Sequence, residues 1–266
     1  MKIACLVKFV PNVDNYKYDY ERNVIVRENS PMTLNPDDAA ALAYGLELRQ
    51  SCRGSGIEVV GMAPASVLPL AKNILRAGAD NFTLLCDRMF AGSDTFCTAM
   101  TISKYLQGRN FDLILSGSHT LDGGTSQVPA QLSRILGIPQ MSEIVKVRKV
   151  DCDKQYAEVE VAHEDRIDVY RMELPAIVSL TKQSGYKMPF VRFQDIDLNV
   201  DDRIQIVSGK DLKLTENETG LSGSKTMVKR TYDWQESGRK TIFVKADAAG
   251  MDIVYRFLKD KGYANG

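Results

Sequence analysis

The sequence predicts an α/β fold: a doubly wound, mainly parallel, Rossmann-like sheet, with a β-meander and an extended C-terminal arm that ends in a helix. Three observations predict it. Short apolar runs alternate with helical patterns through the first half of the chain. Three alternating runs joined by turns follow Gly137. The last 80 or so residues are mostly polar and carry one amphipathic helical pattern.

The first half predicts strands and helices in alternation. A strand over residues 2–9 precedes a small hairpin, residues 16–20 and 24–27. A helix then begins at Pro36 and ends near Gln50, with Asn35 as its cap and Asp37 and Asp38 in its positively polarised first turn. The remaining elements are strand 57–62, helix 66–77, strand 82–85, helix 94–106, strand 113–115, and a helix from Val128 that ends at Gly137.

The second half predicts a meander and then an irregular tail. Strands are expected over residues 144–150, 156–161, 167–174 and 176–180. Beyond Gly185 the chain is expected to be irregular, with a helix over residues 248–261. That helix has one apolar face and no neighbouring pattern to cover it, so it is expected to wrap a partner chain.

The loop over residues 116–127 carries the main functional signal. It lies between a buried strand and a helix whose first N–H groups and positive dipole end favour an anion. Small hydroxyl residues are frequent in it: Ser116, Ser118, Thr120, Thr125 and Ser126. The two common phosphate fingerprints, G-x-x-x-x-G-K-[ST] and G-x-G-x-x-G, are absent. An ordinary βα loop therefore remains open, but length and hydroxyl content favour a nucleotide phosphate.

Composition excludes several other classes of function. The 34 basic and 34 acidic side chains cancel, so no electrostatic footprint for nucleic acid is present. No apolar run approaches the roughly 20 residues of a transmembrane helix, so no membrane insertion is expected. Five cysteines without a C-x-x-C pair and only two histidines predict no metal site and a reducing, cytoplasmic location. His119 has no neighbouring nucleophile, so a hydrolase is the weakest alternative and no catalytic residue is predicted.

Six motifs together resemble the small (beta) subunit of electron-transfer flavoproteins. The resemblance covers about residues 1–182 and returns weakly at the C-terminal helix. The motifs are Leu6-Val7-Lys8-Phe9-Val10-Pro11, Asn35-Pro36-Asp37-Asp38, Met62-Ala63-Pro64, Leu75-Arg76-Ala77-Gly78-Ala79-Asp80, Phe90-Ala91-Gly92-Ser93-Asp94-Thr95 and Asp122-Gly123-Gly124-Thr125-Ser126-Gln127-Val128.

The resemblance implies an electron-carrier subunit of an oxidoreductase complex, without catalytic residues of its own. Its partner would be an alpha subunit that carries one FAD. The beta subunit itself holds structural AMP in housekeeping members and a second, redox-active FAD in members that bifurcate electrons. The motifs at residues 91–95 and 122–125 resemble the bifurcating branch of anaerobes. FAD is therefore expected, with AMP as the alternative, and NADH, ferredoxin and a flavoprotein dehydrogenase are the further implied partners.

The resemblance also implies the site residues. Leu6 and Lys8 would flank the adenosine, Asn35 and Asp38 would line its ribose side, and Met62 and Ala63 would cover the adenine. Asp94 and Thr95 would lie near the flavin side. The phosphates would be cradled by Gly117, Ser118, Asp122, Gly123, Gly124, Thr125, Ser126, Gln127 and Val128. Residues 1–182 would form this nucleotide-binding α/β domain, and residues 183–266 the arm that wraps the partner subunit.

The chain departs from the family pattern most clearly at residues 182–193. This segment lacks the Asn-Glu/x-Pro-Arg-Tyr pattern of the housekeeping branch, and only Tyr186 is easily matched. A dedicated dehydrogenase partner is therefore expected. The alternative from another class is a stand-alone adenine-nucleotide-binding module, which would leave the apolar face of the C-terminal helix bare.

Overall fold

The computed structural model describes residues 1–12, 17–19, 24–26, 31–52, 54–228 and 242–263. The chain forms two compact units, Met1–Lys229 and Arg230–Gly266. The strands, in chain order, are β1 (Lys2–Val7), β2 (Phe9–Pro11), β3 (Lys17–Asp19), β4 (Val24–Val26), β5 (Met32–Leu34), β6 (Gly56–Met62), β7 (Asn81–Leu85), β8 (Leu113–Gly117), β9 (Gln140–Asp151), β10 (Tyr156–Ala162), β11 (Ile167–Glu173), β12 (Ala176–Leu180) and β13 (Ile204–Val207). The α-helices are α1 (Pro36–Ser51), α2 (Leu68–Arg76), α3 (Thr95–Leu106), α4 (Val128–Leu136), α5 (Gly220–Gly223) and α6 (Ala248–Asp260).

Nine strands form one sheet in the order β11-β10-β9-β12-β8-β1-β6-β7-β13. Every pair from β9 to β13 along this order is parallel, whereas β10 pairs antiparallel with both β9 and β11. The predicted α/β class, the mainly parallel sheet and the meander are therefore confirmed. From β1 the chain winds outward through β6 and β7 and then returns to β8 on the other side of β1. The carboxyl ends of β1 and β8 consequently form a topological switch point, where ligands bind in such sheets.

The central parallel strands β1, β6, β7, β8 and β12 are buried on both faces, as parallel sheets require. Alternate residues of β1 point to opposite sides: Ile3 and Cys5 join one apolar cluster, and Ala4 and Leu6 join the other. Helices α1 and α2 cover the first face, and α3 and α4 cover the second. This packing fixes the N-termini of α1, α3 and α4 around the switch point.

Two details of the strand predictions are wrong. The single strand expected over residues 2–9 is interrupted at Lys8, after which β2 pairs antiparallel with β5. The tail beyond Gly185 was expected to be irregular, but β13 extends the main sheet by pairing parallel with β7. Four residues are too few for a periodic signal, and β13 owes its structure to a distant partner strand. The predicted division of the chain at residue 182 stays a prediction.

The predicted small hairpin is present as β3 and β4, which pair antiparallel, while its turn and outer residues lie outside the described part of the chain. The predicted C-terminal helix is present as α6, capped by the Asp247 carboxylate through the Gly250 N–H at 2.8 Å. Its apolar residues are exposed, including Met251, Val254 and Tyr255. No helix in the described ranges combines the length and apolar character needed to cross a bilayer.

Candidate functional site

A cleft opens at the carboxyl ends of β1, β6 and β8, at the switch point of the sheet. Its walls come from these strands, from the first turns of α3 and from the start of α4. The lining residues are Leu6, Val7, Lys8, Asp38, Val60, Met62, Thr95, Thr98, Ile102, Ser116, Gly117, Ser118, Thr120, Ser126, Val128 and Pro129. One side of the cleft is thus aliphatic and the other is backbone and hydroxyl groups, a combination suited to a flat ring joined to a polar chain.

Acidic residues at the start of α1 bind the backbone at the floor of the cleft. The Asp38 carboxylate accepts hydrogen bonds from the Lys8 N–H at 2.9 Å and from the Gly117 N–H at 2.8 Å. Asp37 accepts from the N–H groups of His119 at 3.0 Å and Lys182 at 2.9 Å. These two carboxylates therefore tie the ends of β1, β8 and β12 to one helix N-terminus.

Asn35 acts in the same way, and its predicted role as a side-chain cap of α1 is wrong. Its side chain makes no capping bond to α1 in the described structure. The amide instead donates to the His119 carbonyl at 2.7 Å and accepts from the Leu121 N–H at 3.2 Å. Asn35 lines the pocket next to the cleft, so it shapes the loop from behind.

We call Asn35, Asp37 and Asp38 the buried latch, since each of the three residues is at most 7% exposed. Burial raises the pKa of Asp38 to about 7, although the hydrogen bonds from Lys8 and Gly117 act in the opposite direction. Gly117 is required here because a Cβ atom would lie 2.7 Å from the Asp38 nitrogen and from the Asp37 Cβ. The latch thus allows only a glycine at the last position of β8.

The hydroxyl groups of the loop divide into two kinds. Ser118 donates to the Ser179 carbonyl at 3.0 Å and accepts from the Glu143 N–H at 3.0 Å, so it binds the sheet to its neighbours. Ser126 differs: its backbone has a left-handed φ of 55°, and its buried Oγ has no hydrogen-bond partner among the described residues. A buried hydroxyl without a partner costs free energy. Ser126 lines the cleft, so a bound polar group would satisfy it.

Helix α4 begins two residues after Ser126, and no side chain in the described part of the chain caps its N-terminus. Pro129 stands in its first turn, where the missing N–H costs nothing. The remaining first-turn N–H groups and the positive end of the helix dipole favour an anion. The loop and α4 together therefore have the chemistry of a phosphate site.

Lys8 supplies the positive charge of the cleft. Its Nζ lies 2.7 Å from Oδ1 of Asp122, which also accepts from the Gly123 N–H at 2.8 Å. Burial would raise the pKa of Asp122, but the bond and charge of Lys8 outweigh it and lower that pKa. Asp122 is therefore an anion that orients Lys8 and the turn at Gly123, and a nearby ligand phosphate would share the same ammonium group.

The first turns of α3 form the opposite wall. Thr95 Oγ1 donates to the Gln127 side chain at 2.9 Å and accepts from Gln131 Nε2 at 3.2 Å, so α3 is tied to the start of α4. Asp94 caps α3 through the Cys97 N–H at 2.9 Å. Its other oxygen accepts from the backbone of Lys225, so the carboxylate faces the C-terminal part of the chain.

About half of the residues expected at the site line the cleft. They are Leu6, Lys8, Asp38, Met62, Thr95, Gly117, Ser118, Ser126 and Val128. The other expected residues are not part of the lining: Asn35, Ala63, Asp94, Asp122, Gly123, Gly124, Thr125 and Gln127. Thr98 and Ile102 also line the cleft and were missed, although their spacing of three and seven from Thr95 places them on the same helix face.

His119 lies behind the cleft in the neighbouring pocket. Its Nδ1 is 3.6 Å from Asp37 Oδ2 and 3.5 Å from Glu143 Oε1. Asp37 is already committed to two backbone N–H groups, so this carboxylate orients a loop and does not activate a base. Within the described residues, no group of three His, Cys, Asp or Glu side chains is placed to hold a metal ion.

Comparison with known proteins identifies the family. Residues 22–187 match the model of the electron transfer flavoprotein domain. The chain is 32% identical to the electron transfer flavoprotein subunit beta of Thermoanaerobacterium thermosaccharolyticum over 87% of both chains. It is 30% identical to the caffeyl-CoA reductase-Etf complex subunit CarD of Acetobacterium woodii over 87% of both chains. It is 32% identical to protein FixA of Bradyrhizobium diazoefficiens over 86% of this chain and 81% of that one.

The family model covers the latch and the loop at residues 116–127, so the resemblance seen in the motifs is confirmed. The cleft at the switch point agrees with a protein whose task is to hold a cofactor. The chain belongs to the electron transfer flavoprotein family, among its beta subunits.

Proposed function

We propose that the cleft binds FAD and that the chain is the beta subunit of an electron-bifurcating electron transfer flavoprotein. One observation carries the assignment of the cleft: the partnerless buried hydroxyl of Ser126 lies beside the uncapped start of α4. Together they offer donors to a phosphate at the one place in the sheet where ligands of this fold bind.

The remaining walls fit an adenine nucleotide. Leu6, Val60, Met62 and Ile102 provide an aliphatic surface for a flat aromatic ring. Lys8 provides a cation near the phosphate donors, held in place by Asp122 at 2.7 Å. Asp38 is fixed by two backbone N–H groups at the boundary between these halves, where ribose hydroxyls would lie.

The chemistry would come from the cofactor, because FAD when bound supplies hydride acceptance and one-electron transfer. The chain's residues would bind it, orient it and shield it from water. Lys8 and the α4 N-terminus would neutralise the phosphates.

The choice of FAD over structural AMP rests on the motifs at residues 91–95 and 122–125, which resemble the bifurcating branch. In that role the complex would take electrons from NADH and pass them to ferredoxin and to a partner flavoprotein dehydrogenase. A heterodimer with an alpha subunit would carry the second FAD. The similarity to a subunit of a caffeyl-CoA reductase-Etf complex supports a reductase as the dehydrogenase-type partner.

The C-terminal arm supports a partner chain. Helix α6 exposes Met251, Val254 and Tyr255, and a monomer would leave this apolar face in water. We therefore place the alpha subunit on the arm. Size-exclusion chromatography of the chain with the alpha subunit tests this point: a single peak of the summed mass is expected, and two separate peaks would favour a stand-alone nucleotide-binding module.

The cofactor is tested by denaturing the purified complex and separating the released nucleotides by reverse-phase chromatography. Two FAD per heterodimer are expected. One AMP with one FAD would refute the bifurcating assignment while retaining the site, since both ligands present an adenosine phosphate to the same loop. One FAD without a second adenine nucleotide would refute the assignment of the cleft.

A further inference from the structure

Asp94 holds two parts of the chain that are far apart in sequence. One oxygen, Oδ1, accepts the Cys97 N–H at 2.9 Å and caps α3. The other, Oδ2, accepts the N–H groups of Lys225 at 2.8 Å and Thr226 at 2.9 Å and the Thr226 hydroxyl at 3.0 Å. A carboxylate with two oxygens is the one side chain of this size that can accept from both groups at once.

These bonds complete a larger contact, which we call the clasp (residues 208–226). The clasp lies on the loop that precedes α3: Gly209 donates to Asp87 at 3.0 Å, and Leu221 donates to the Ala91 carbonyl at 3.2 Å. Gly220 is in close contact, because a Cβ atom there would lie 2.9 Å from the Ala91 oxygen and closer still to that of Met89. The clasp is therefore docked backbone to backbone, and Asp94 fastens its last residues.

The helix that Asp94 caps is also a wall of the cleft. Thr95 and Thr98, which follow Asp94 on α3, line the cleft. Thr95 is also hydrogen-bonded to Gln127 and Gln131 at the start of α4. A continuous series of contacts thus runs from Lys225 and Thr226 through Asp94 to both helix N-termini at the cleft. The chain leaves the first unit shortly after Thr226, at Lys229.

We propose that Asp94 is a positioning residue that couples the clasp to the nucleotide cleft. When Lys225 and Thr226 are hydrogen-bonded to Asp94, α3 and α4 keep the spacing that binds nucleotide. When these bonds are lost, nucleotide binding weakens. This inference rests on the proposed nucleotide site and adds a second function to a residue expected to lie near the flavin side. Because binding linkage is reciprocal, nucleotide must also strengthen the attachment of the clasp by the same factor.

Asp94→Asn separates the two functions of the carboxylate. Asparagine remains an effective helix cap, so α3 keeps its N-terminal bond. Its amide NH2, however, would face the N–H groups of Lys225 and Thr226, where Oδ2 now accepts. We expect the variant to bind AMP and FAD about tenfold more weakly than the wild type, within the roughly 5- to 150-fold range of intramolecular coupling.

Asp211→Asn is the matched control. Asp211 is also a carboxylate that accepts one N–H and one hydroxyl, both from Ser208, at 2.8 and 2.6 Å. It lies within the clasp and makes these bonds inside it. Its replacement should disturb the clasp locally and leave the affinity for both probes within about twofold of wild type.

Thr226→Pro tests the coupling from the other side without changing α3. Proline removes both the N–H and the hydroxyl that residue 226 donates to Asp94. The cap of α3 and its charge remain intact. We expect nucleotide affinity to fall by a similar factor as in Asp94→Asn. If only the helix cap mattered, Thr226→Pro would bind nucleotide as the wild type does.

The deciding experiment uses the full chain, with AMP and FAD as separate probes in calorimetric titrations, and amide hydrogen exchange of peptides covering residues 220–228. In the wild type, saturating nucleotide should slow exchange at Lys225 and Thr226 about tenfold, the reciprocal of its weaker binding to the variants. A purely structural role of Asp94 would not produce this response. Faster exchange in both variants with wild-type affinity for both probes would overturn the proposal, as would exchange in the wild type that nucleotide leaves unchanged. A wild-type chain that binds neither probe would refute the proposed function before any variant is compared.

Discussion

Helices α1 and α3 both begin at the cleft, and the polar residues at their N-termini act in different ways. At α1, Asn35 and Asp38 are almost completely buried and bind the backbone of the cleft floor. At α3, Asp94 is partly exposed, caps its own helix and fastens the clasp. The same residue types therefore bind the backbone of other elements when buried, and cap their own helix when they reach solvent. We infer a fixed floor at α1 and an adjustable wall at α3.

The largest effect is expected at the buried latch. Asp38→Ala leaves the N–H groups of Lys8 and Gly117 without their acceptor, at about 1–3 kcal/mol each, so we expect a loss of about 2–6 kcal/mol in the free energy of unfolding. Urea denaturation at pH 4, close to the unfolded pKa of the Asp38 carboxyl, measures this loss before the contribution of Asp38 declines at higher pH. Asp112→Ala is the control, because Asp112 accepts the Lys2 N–H at 2.7 Å at the exposed start of β1. Asp112→Ala should lower the free energy of unfolding by less than about 1 kcal/mol. Equal losses in the two variants would contradict the claim that the buried carboxyl matters more.

The two carboxylates should also respond to pH with opposite sign. The pKa of Asp38 is raised by burial to about 7. Its contribution to stability is therefore complete below the unfolded pKa near 4 and is lost as pH rises toward 7, with a slope of at most about 1.4 kcal/mol per pH unit. Denaturation curves from pH 4 to 7 should show this slope in the wild type and lose it in Asp38→Asn.

At Asp94 burial would raise the pKa, but the hydrogen bonds from Cys97, Thr226 and Lys225 outweigh it, and the pKa is lowered. Its contribution is present above the unfolded pKa near 4 and is lost as pH falls through the lower folded value. Stability of the wild type relative to Asp94→Asn should therefore decline between pH 4 and 3. A decline on raising the pH instead would contradict the assigned contacts.

A smaller loss of stability is expected at α3. Asp94→Ala removes the cap and the clasp bonds, but Lys225 and Thr226 are exposed and water can satisfy their N–H groups, so the loss is mainly that of the cap, about 1 kcal/mol. The measurement is the shift of the urea midpoint, with Asp94→Asn as the variant that retains the cap. A loss as large as that of Asp38→Ala would mean that the clasp belongs to the rigid core and is not an adjustable wall.

The smallest change in stability is expected at Ser126, where a substitution should affect nucleotide binding and leave the fold unchanged. Ser126→Ala removes a hydroxyl without a protein partner among the described residues, so stability should be unchanged or slightly higher. Nucleotide affinity should fall about three- to tenfold, the value of one hydrogen bond. Ser118→Ala is the comparison, because that hydroxyl has two protein partners and its loss should lower stability. Calorimetric titration with AMP and FAD and a melting curve for each variant distinguish the two.

Sequence patterns predicted those parts of the molecule that depend on local order. The alternation of apolar runs predicted the strands around β1 and β8, and Asn35-Pro36-Asp37-Asp38 predicted where α1 begins. The partners of Asn35 are His119 and Leu121, more than 80 positions along the chain, and no local pattern specifies them. The clasp was missed for the same reason, since Lys225 and Thr226 reach Asp94 through backbone groups that every residue carries. Thr98 and Ile102, by contrast, were accessible from the helical spacing that follows Thr95.

The location of the nucleotide is the central claim, and photolabelling of the full chain with an azido-substituted AMP tests it most directly. Mapping of the labelled peptides should place the adducts on the lining of the cleft, within β1, β6, the first turns of α3 or residues 116–129, and excess unlabelled AMP or FAD should suppress them. Competed labelling at the pocket behind the loop, around Asn35 and Lys182, or in the C-terminal unit would contradict the account.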